Sequence, residues 1–303
     1  MKINSGELIK KIRKEMNLSQ EDFARQLFIS MRQLARIESG EVSMDVWQFI
    51  STLELLGHPT EDFWLLYLSS DEYKNYREYK SLKRQLRNGT LPERMDILAN
   101  LEKGPLFKQS FIKQIVMFAK TALDETLSPD DALIELQNAM QMSKPDFDEA
   151  RISECRMTYN EIYISLGMAQ CLSALGEQNR AISLIQGIIK SREISNVSEE
   201  DRAALFPALY FLLSNMLKLA GRTKEALKAC NDAYDISREY CNYKIIPEIL
   251  LNIASCHHAL KEEAQVCKVY LIRAYHCAYA MGQNETAAAI KNEAEKNFGI
   301  IIP

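Results

Sequence analysis

Residues 9–40 read IKKIRKEMNLSQEDFARQLFISMRQLARIESG, and this stretch decides the fold of the N-terminal part of the chain. Its apolar residues recur at intervals of three and four in three short groups, the pattern of one buried face on each of three helices. Ser19 and Ser30 stand just before the second and third groups, and serine favours the capping position of a helix. Gly40 follows the third group as a helix-stop residue. The stretch therefore predicts three short helices joined by tight turns.

The third predicted helix carries residues whose side chains can read DNA. Leu34 and Ile37 share its inward face, so the other positions face outward. The exposed set consists of Ser30, Met31, Arg32, Gln33 and Arg36. Arginine can form two hydrogen bonds with guanine, and glutamine can do so with adenine, so this face could distinguish base sequences. Residues 1–40 also hold eight Lys or Arg against five Asp or Glu, in a chain whose net charge is -4.

This N-terminal pattern resembles the Cro/C1-type helix-turn-helix family of phage repressors. The resemblance is dense over residues 9–40 and looser on to residue 56. It implies that the third helix enters the major groove of double-stranded DNA. It also implies that Gln20, at the start of the second helix, contacts a phosphate or a base. A further implication is an internal ion pair between Arg13 and Glu38.

Two more helices complete a predicted five-helix domain over residues 1–68, one from Met44 to Leu56 and one beginning at Thr60. A basic connecting helix is expected over residues 69–90. Its residues 74–88 contain a single acid, Glu78, against six basic residues, which are Lys74, Arg77, Lys80, Lys83, Arg84 and Arg87. Phosphate contact and a solvated linker face both remain open for this segment.

Residues 91–303 show amphipathic helical segments separated by very short breaks, which is typical of an α-solenoid. Gly176-x4-Ala181-Ile182 recurs 45 positions later as Gly221-x4-Ala226-Leu227. The pattern partly matches the tetratricopeptide repeat, with a longer period. We therefore predict an all-α protein in which the helix-turn-helix domain precedes degenerate tetratricopeptide-like helix pairs.

Several classes of protein are disfavoured by what the sequence lacks. The seven cysteines form no C-x-x-C pair and lie in apolar helical stretches, as expected of reduced cysteines in a cytosolic protein. Export-signal and membrane-span patterns are missing, so we expect a cytoplasmic location. Phosphate-binding glycine loops and metalloprotease motifs are missing as well, so we expect no enzyme and no cofactor. Zinc ligand types occur at Cys256, His257, His258, Cys267, His276 and Cys277, but their spacing does not predict a metal site.

The order and size of these segments resemble the Rgg and PlcR-type (RRNPP) regulators, which bind short signalling peptides. The resemblance spans essentially the whole chain, although only the N-terminal segment has specific motifs. It implies a homodimer that recognises a two-fold operator, and a linear peptide held in the concave groove of the array. It also implies that the peptide switches DNA binding, as in quorum sensing.

Candidate peptide contacts come from polar residues that recur along otherwise apolar helices. Arg156, Asn160, Tyr163, Gly167 and Gln170 follow a 4-3-4-3 spacing and form one stripe. Asn215 and Asn252 lie in helices that are apolar nearly all round. An asparagine amide can both donate to and accept from a peptide backbone. Each asparagine could instead bond a neighbouring helix or face solvent.

Two other functions remain open from the sequence. The chain could repress a mobile element, with its array binding a protein partner rather than a peptide. It could also be a scaffold that uses the array for protein interactions and the N-terminal domain only for packing. Substitution of Arg32 and Gln33 separates the second alternative from a DNA-reading protein.

Overall fold

The computed structural model describes residues 5–27, 29–44, 52, 70–88, 92–191, 195 and 197–302. Within these ranges the regular secondary structure is entirely helical, which confirms the all-α prediction. The chain divides into two compact units, the first of residues 1–83 with 99–107 and the second of residues 84–98 with 108–303. The boundaries at residues 68 and 90 stay a prediction.

The first unit begins with three helices, α1 (Ser5–Glu15), α2 (Gln20–Gln26) and α3 (Met31–Glu38). Both predicted serine caps are present: the Ser19 hydroxyl accepts from the Asp22 backbone N–H at 3.0 Å, and that of Ser30 from Gln33 at 3.1 Å. The buried core consists of Ile9, Phe23, Ala24 and Leu34. The predicted helix from Thr60 lies outside the described residues. Of the predicted helix from Met44 to Leu56, the structure describes Met44, which packs on this core and is not helical, and Thr52, which is helical and buried.

Gly6 lets α1 approach the end of α3 closely. A Cβ atom at this position would lie 1.7 Å from the carbonyl oxygen of Ile37, so any side chain would force the two helices apart. The spacing between α1 and α3 therefore depends on this glycine.

The helix predicted as a basic connector is α4 (Ser70–Asn88), and it is followed by α5 (Pro92–Lys103) and a 3-10 turn (Pro105–Lys108). Asn75 on α4 is buried, and its Oδ1 accepts from the backbone N–H of Leu106 at 3.1 Å. Gly104 packs directly against the Asn75 amide, leaving no room for a Cβ. The Asn75 side chain thus stabilises the turn that follows α5.

The second unit is an array of helices in which each packs on the next. The helices are α6 (Ser110–Leu123), α7 (Pro129–Gln141), α8 (Tyr159–Ala174), α9 (Gln178–Lys190), α10 (Glu199–Leu219), α11 (Thr223–Glu239), α12 (Ile246–Ala259), α13 (Ala264–Ala280) and α14 (Asn284–Phe298), with a 3-10 segment (Glu149–Glu154) before α8. Helices α6, α8, α10, α12 and α14 also contact their next-but-one neighbours. In a curved stack such contacts form on the inner side, so these five helices make the inner layer.

The turns inside the helix pairs explain the glycines of the repeat. Gly176, between α8 and α9, has φ +83°, and Gly221, between α10 and α11, has φ +72°. Glycine is the residue that adopts this left-handed conformation without strain. Lys261 holds the corresponding place between α12 and α13, with φ 59°. The recurring sequence signal is therefore a backbone requirement, and the third pair meets it with a lysine.

A search of the helices in the described part of the chain found none with both the length and the apolar character needed to cross a membrane.

Candidate functional site

The candidate DNA-reading face lies on α3. Leu34, Ile37 and Glu38 are buried against the first unit. The remaining predicted residues are exposed, and they are Ser30, Met31, Arg32, Gln33 and Arg36. Arg36 forms an exposed ion pair with Glu41 at 3.4 Å. Helix α3 therefore exposes two arginines and a glutamine, while Leu34 and Ile37 anchor it to the core.

An ion pair between Arg13 and Glu38 ties α1 to the end of α3. Arg13 Nε donates to Glu38 Oε1 at 2.6 Å and its terminal nitrogen to Oε2 at 2.9 Å, with both side chains almost fully shielded from solvent. A second terminal nitrogen of Arg13 donates to the carbonyl of Leu18 at 2.6 Å, which holds the turn before α2. This is the pairing that the family resemblance implied.

Glu38 stays charged despite its burial. Burial alone would raise the pKa of its carboxyl, but hydrogen bonds from Arg13 and Gln20, with the charges of Arg13 and Lys10, hold that pKa below its ordinary value. The same hydrogen bonds raise the pKa of Arg13, so both partners are held in their charged forms. The pair therefore acts as a charged brace beneath α3.

Gln20 has an internal partner in this network. Its Nε2 donates to Glu38 Oε2 at 2.7 Å, and the side chain is half-buried. One end of the Gln20 amide is thus oriented by the brace at the start of α2. A contact between Gln20 and DNA stays a prediction.

Basic side chains of α4 are distributed along its solvent face. Lys74, Arg77, Lys80 and Arg84 are exposed, and the ammonium of Lys83 lies 6.0 Å from the ring centroid of Tyr79. The opposite side of the helix buries Asn75, Leu82 and Gln85. The helix is amphipathic, and the choice between phosphate contact and a solvated face stays open.

The predicted peptide-contacting stripe divides in the structure, and its first residue, Arg156, precedes α8, which begins at Tyr159. The Asn160 amide donates to the carbonyl of Phe111 on α6 at 2.7 Å, and Gly167 packs against Leu136 and Phe118. Arg156 and Gln170 are exposed. These residues do not form one polar surface, because part of the stripe is turned into the packing between α6, α7 and α8.

Asn215 and Asn252 are brought together between α10 and α12. The Asn252 Nδ2 donates to Asn215 Oδ1 and, at 3.1 Å, to the hydroxyl of Ser214, while its Oδ1 accepts from Lys218 Nζ at 2.7 Å. Asn252 is therefore fully occupied by the neighbouring helix. Asn215 is only half-buried, and its Nδ2 has no recorded partner within the described residues.

A cavity of about 580 Å³ lies on the inner layer of the second unit. Its walls come from α8 (Tyr163 and Leu166), the first half of α10, the connection between α11 and α12, and the first turn of α12, with Leu86 of α4. Its size falls in the range of about 300–1,000 Å³ that is usual for ligand pockets. Of the predicted peptide contacts, the cavity contains Tyr163.

The predicted asparagines continue the helix faces that line this cavity. Asn215 lies seven residues after Ala208 on α10, and Asn252 lies four residues after Glu248 on α12. Residues at these intervals share one face of a helix. Gln170 lies seven residues after Tyr163 on α8 in the same way. A ligand extending from the cavity along the inner layer would pass these three side chains.

A proline shapes the wall of the cavity on α10. Pro207 has no backbone N–H, so the carbonyl of Ala203, four residues earlier, receives no helical hydrogen bond from it. The Asn242 side chain supplies the missing donor, with Nδ2 2.8 Å from the Ala203 oxygen. Both Ala203 and Asn242 line the cavity. The interrupted helix is thus connected to the α11–α12 connection at the cavity wall.

Two functional candidates were not predicted from the sequence. Glu248 lines the cavity, and its Oε2 is buried without a hydrogen-bond partner in the described structure. Burial raises the pKa of its carboxyl, while a hydrogen bond from its own backbone N–H and, more weakly, the charge of Lys244 act in the opposite direction. In the sequence Glu248 is an ordinary acid in a first helical turn, which gave no signal. The signal for Asn242 was Pro207 within a helical pattern, because it leaves a carbonyl without its donor.

The cysteine and histidine residues considered as zinc ligands have other neighbours. His257 stacks on Tyr270 and lies 2.9 Å from Glu262, while His258 packs against Phe298. Among the described residues, no group of three or more His, Cys, Asp or Glu is arranged to hold a metal ion.

These features define an all-α protein with an N-terminal helix-turn-helix unit and an array of helix pairs whose inner layer carries a cavity. Residues 6–69 match the family model described as a helix-turn-helix domain. A search of the curated proteins returned no significant match. The family model therefore covers the N-terminal segment, and solved structures give the comparison for the rest of the chain.

The fold of the chain is similar to that of several solved structures, of which three are described. PlcR of Bacillus thuringiensis, in complex with the peptide PapR7 and DNA, is 19% identical with a TM-score of 0.73, over 95% of this chain and 99% of that one. ComR of S. thermophilus, with DNA and its signalling peptide ComS, is 14% identical with a TM-score of 0.64, over 98% and 100%. The SHP pheromone receptor Rgg2 of Streptococcus dysgalactiae is 12% identical with a TM-score of 0.57, over 97% and 99%.

The comparisons confirm, at the level of fold, the resemblance to Rgg and PlcR-type regulators that the sequence indicated. The helix-turn-helix segment and the array of helix pairs occur in the expected order, and the match covers nearly all of each chain.

Proposed function

We propose that this protein is a sequence-specific DNA-binding transcription regulator whose activity is switched by a short signalling peptide. The observation that carries the proposal is the exposed face of α3, where Arg32, Gln33 and Arg36 project away from the buried residues Leu34 and Ile37. The fold shared with PlcR and ComR, each solved with DNA and a peptide, supports both parts of the function.

In this proposal α3 lies in the major groove and α2 directs its N-terminus to a phosphate. Arg32, Gln33 and Arg36 contact base edges, with Ser30 and Met31 at the start of the helix beside them. Gln20 contacts the DNA backbone or a base with the part of its amide that Glu38 does not use. The brace between Arg13 and Glu38 keeps α3 at a fixed angle, which base reading requires.

The peptide lies along the inner layer of the array. Tyr163 contacts it in the cavity, and Gln170, Asn215 and Asn252 follow on the same helix faces. The Nδ2 of Asn215, which has no partner among the described residues, is a donor for a peptide carbonyl, and Asn252 positions Asn215 through their hydrogen bond. Arg156 and Asn160 complete the proposed set, although Asn160 must exchange its bond with Phe111 to reach a peptide.

The regulator acts in the cytoplasm as a homodimer on a two-fold operator. A peptide that prefers one arrangement of the inner helices shifts the population toward the DNA-binding or the non-binding form. A protein partner in place of the peptide would leave DNA binding intact. The cavity has the size of a pocket that binds a small ligand, and this favours a short peptide over a protein partner.

The test is selection of DNA sites from random duplexes by the purified full-length protein at two salt concentrations. We expect a near-palindromic site that is lost in the double variant Arg32→Ala, Gln33→Ala. Each lost base contact should lower specific affinity by about 1–3 kcal/mol. Arg151→Ala, which removes an exposed arginine of the array, is the matched control and should select the same site.

Weak, salt-sensitive binding without a preferred sequence, unchanged in the double variant, would contradict the DNA-reading role of α3. That result would instead favour a scaffold in which the N-terminal unit only packs. If the double variant selects the same DNA site as the wild-type protein, base recognition lies elsewhere in the first unit.

A further inference from the structure

The chemistry of the inner-layer cavity is strongly asymmetric. One wall is made by Ala203, Ala204 and Ala208 of α10, which have side chains of a single methyl group. Another part of the lining is apolar and aromatic, with Leu166 and Tyr163 of α8. Such walls accept an extended aliphatic chain, because small residues permit close approach and the larger ones supply apolar contact.

Three charged residues line the cavity, and they differ in their exposure to solvent. Glu200 and Glu248 line it together with one basic residue, Lys244. Charges in a concave site with low-dielectric walls act more strongly on a ligand than charges on an open surface. Glu200 and Lys244 are exposed, whereas Glu248 is half-buried, so the Glu248 carboxylate is the group that favours a positively charged ligand over a neutral or negative one.

Glu248 has an unmet capacity to accept hydrogen bonds. Its Oε2 is buried, and no partner for it lies among the described residues. A buried acceptor without a donor is unfavourable, so a ligand that brings a donor gains more than it would at a solvated carboxylate. A cationic donor forms the stronger, charge-assisted bond.

We propose that the cavity is a selectivity pocket for a cationic group of the signalling peptide, which pairs with the carboxylate of Glu248. The group is a primary ammonium or a guanidinium, supplied by a Lys or Arg side chain or by the peptide N-terminus. The aliphatic stem of a lysine or arginine lies between the alanine wall of α10 and the aromatic surface of α8. This inference rests on the proposed peptide function and names the ligand chemistry of the same site.

The experiment measures binding of synthetic peptide pools to the full-length protein by competition fluorescence polarisation. The pools are random heptapeptides with one position at a time fixed as Lys, Arg, norleucine or Glu, each made with a free and an acetylated N-terminus. We expect one position at which Lys or Arg binds about tenfold or more tightly than norleucine. If the N-terminal ammonium is the ligand group, no fixed position shows this preference. Acetylation of the N-terminus should then weaken the binding of every pool by about tenfold or more.

Variants assign this preference to the carboxylate. Glu248→Gln should remove the preference for the cation while the norleucine pool keeps its affinity within about twofold. Lys244→Met should strengthen the preference, because it removes a like charge from the same cavity. Glu263→Gln, at an exposed acid before α13, is the matched control and should change nothing.

The outcomes separate this inference from the proposed function. Pools that bind without any preference for a cation, or with a preference that persists in Glu248→Gln, would overturn the cationic pocket and leave peptide regulation standing. Failure of every pool to bind the wild-type protein would overturn both.

Discussion

Glu38 shows how a single buried charge can fix the orientation of a recognition helix. Glu38→Gln keeps the size of the side chain but leaves Arg13 buried without its counter-charge. We expect the free energy of unfolding of the first unit to fall by about 3 kcal/mol. The measurement is denaturant-dependent hydrogen exchange of peptides from residues 9–40. Glu41→Gln, at an exposed partner of Arg36, should cost less than about 0.5 kcal/mol.

The same brace predicts a pH dependence. Because its pKa in the folded state is lowered, Glu38 contributes stability that is complete above the ordinary carboxyl pKa of about 4.3 and is lost as the pH falls through the lowered value. Glu38→Gln should remove this part of the acid sensitivity from the exchange profile of residues 9–40. An unchanged acid profile in the variant would show that other carboxyls govern it.

At the scale of single residues, sequence reasoning succeeded where the interaction is local or carried by a motif. The caps Ser19 and Ser30 and the pair Arg13–Glu38 are examples. It could not anticipate that Asn252 is occupied by Asn215, Ser214 and Lys218, because that depends on how α10 and α12 meet. Helical periodicity places an asparagine on a face but does not identify the residue opposite it.

Helix α10 carries a testable compensation for its internal proline. Asn242→Ala should cost about 1–3 kcal/mol, because the Ala203 carbonyl loses its donor at a partly buried position. Pro207→Ala in that background should recover part of the loss, since residue 207 regains an N–H that can bond Ala203. Denaturant unfolding of the four proteins of this double-mutant cycle gives the coupling energy. Additive effects would mean that Asn242 and Pro207 act independently.

The helices themselves were predictable because their signals are local in the sequence. These signals are the spacing of apolar residues, the capping residues and the glycines that adopt a left-handed conformation. Gly176 and Gly221 marked the repeat for a reason that the structure makes explicit, their positive φ. The cavity was not predictable in this way. It combines α8, α10, α12 and Leu86, which lie far apart in sequence and whose facing positions depend on helix packing.

For the whole molecule, the proposed switch requires reciprocal linkage between its two ligands. If the peptide changes the affinity of the protein for its operator by a given factor, the operator must change the affinity for the peptide by the same factor. Such factors are typically about 5–150. Isothermal titration calorimetry of the full-length protein with a selected peptide measures the peptide affinity with and without the operator duplex. A duplex with a scrambled sequence is the control. Equal peptide affinities under all conditions would exclude coupling between the sites.

The turns within the array have a practical consequence. At Gly176, Gly221 and Gly282 a Cβ would have no described residue other than the adjacent ones within 4 Å, so these corners border open space. Added chain at such corners is tolerated far better than in a packed segment. Flexible inserts there could carry fluorescent reporters at known intervals along the stack, so that peptide-induced changes in its curvature would be read as changes in energy transfer.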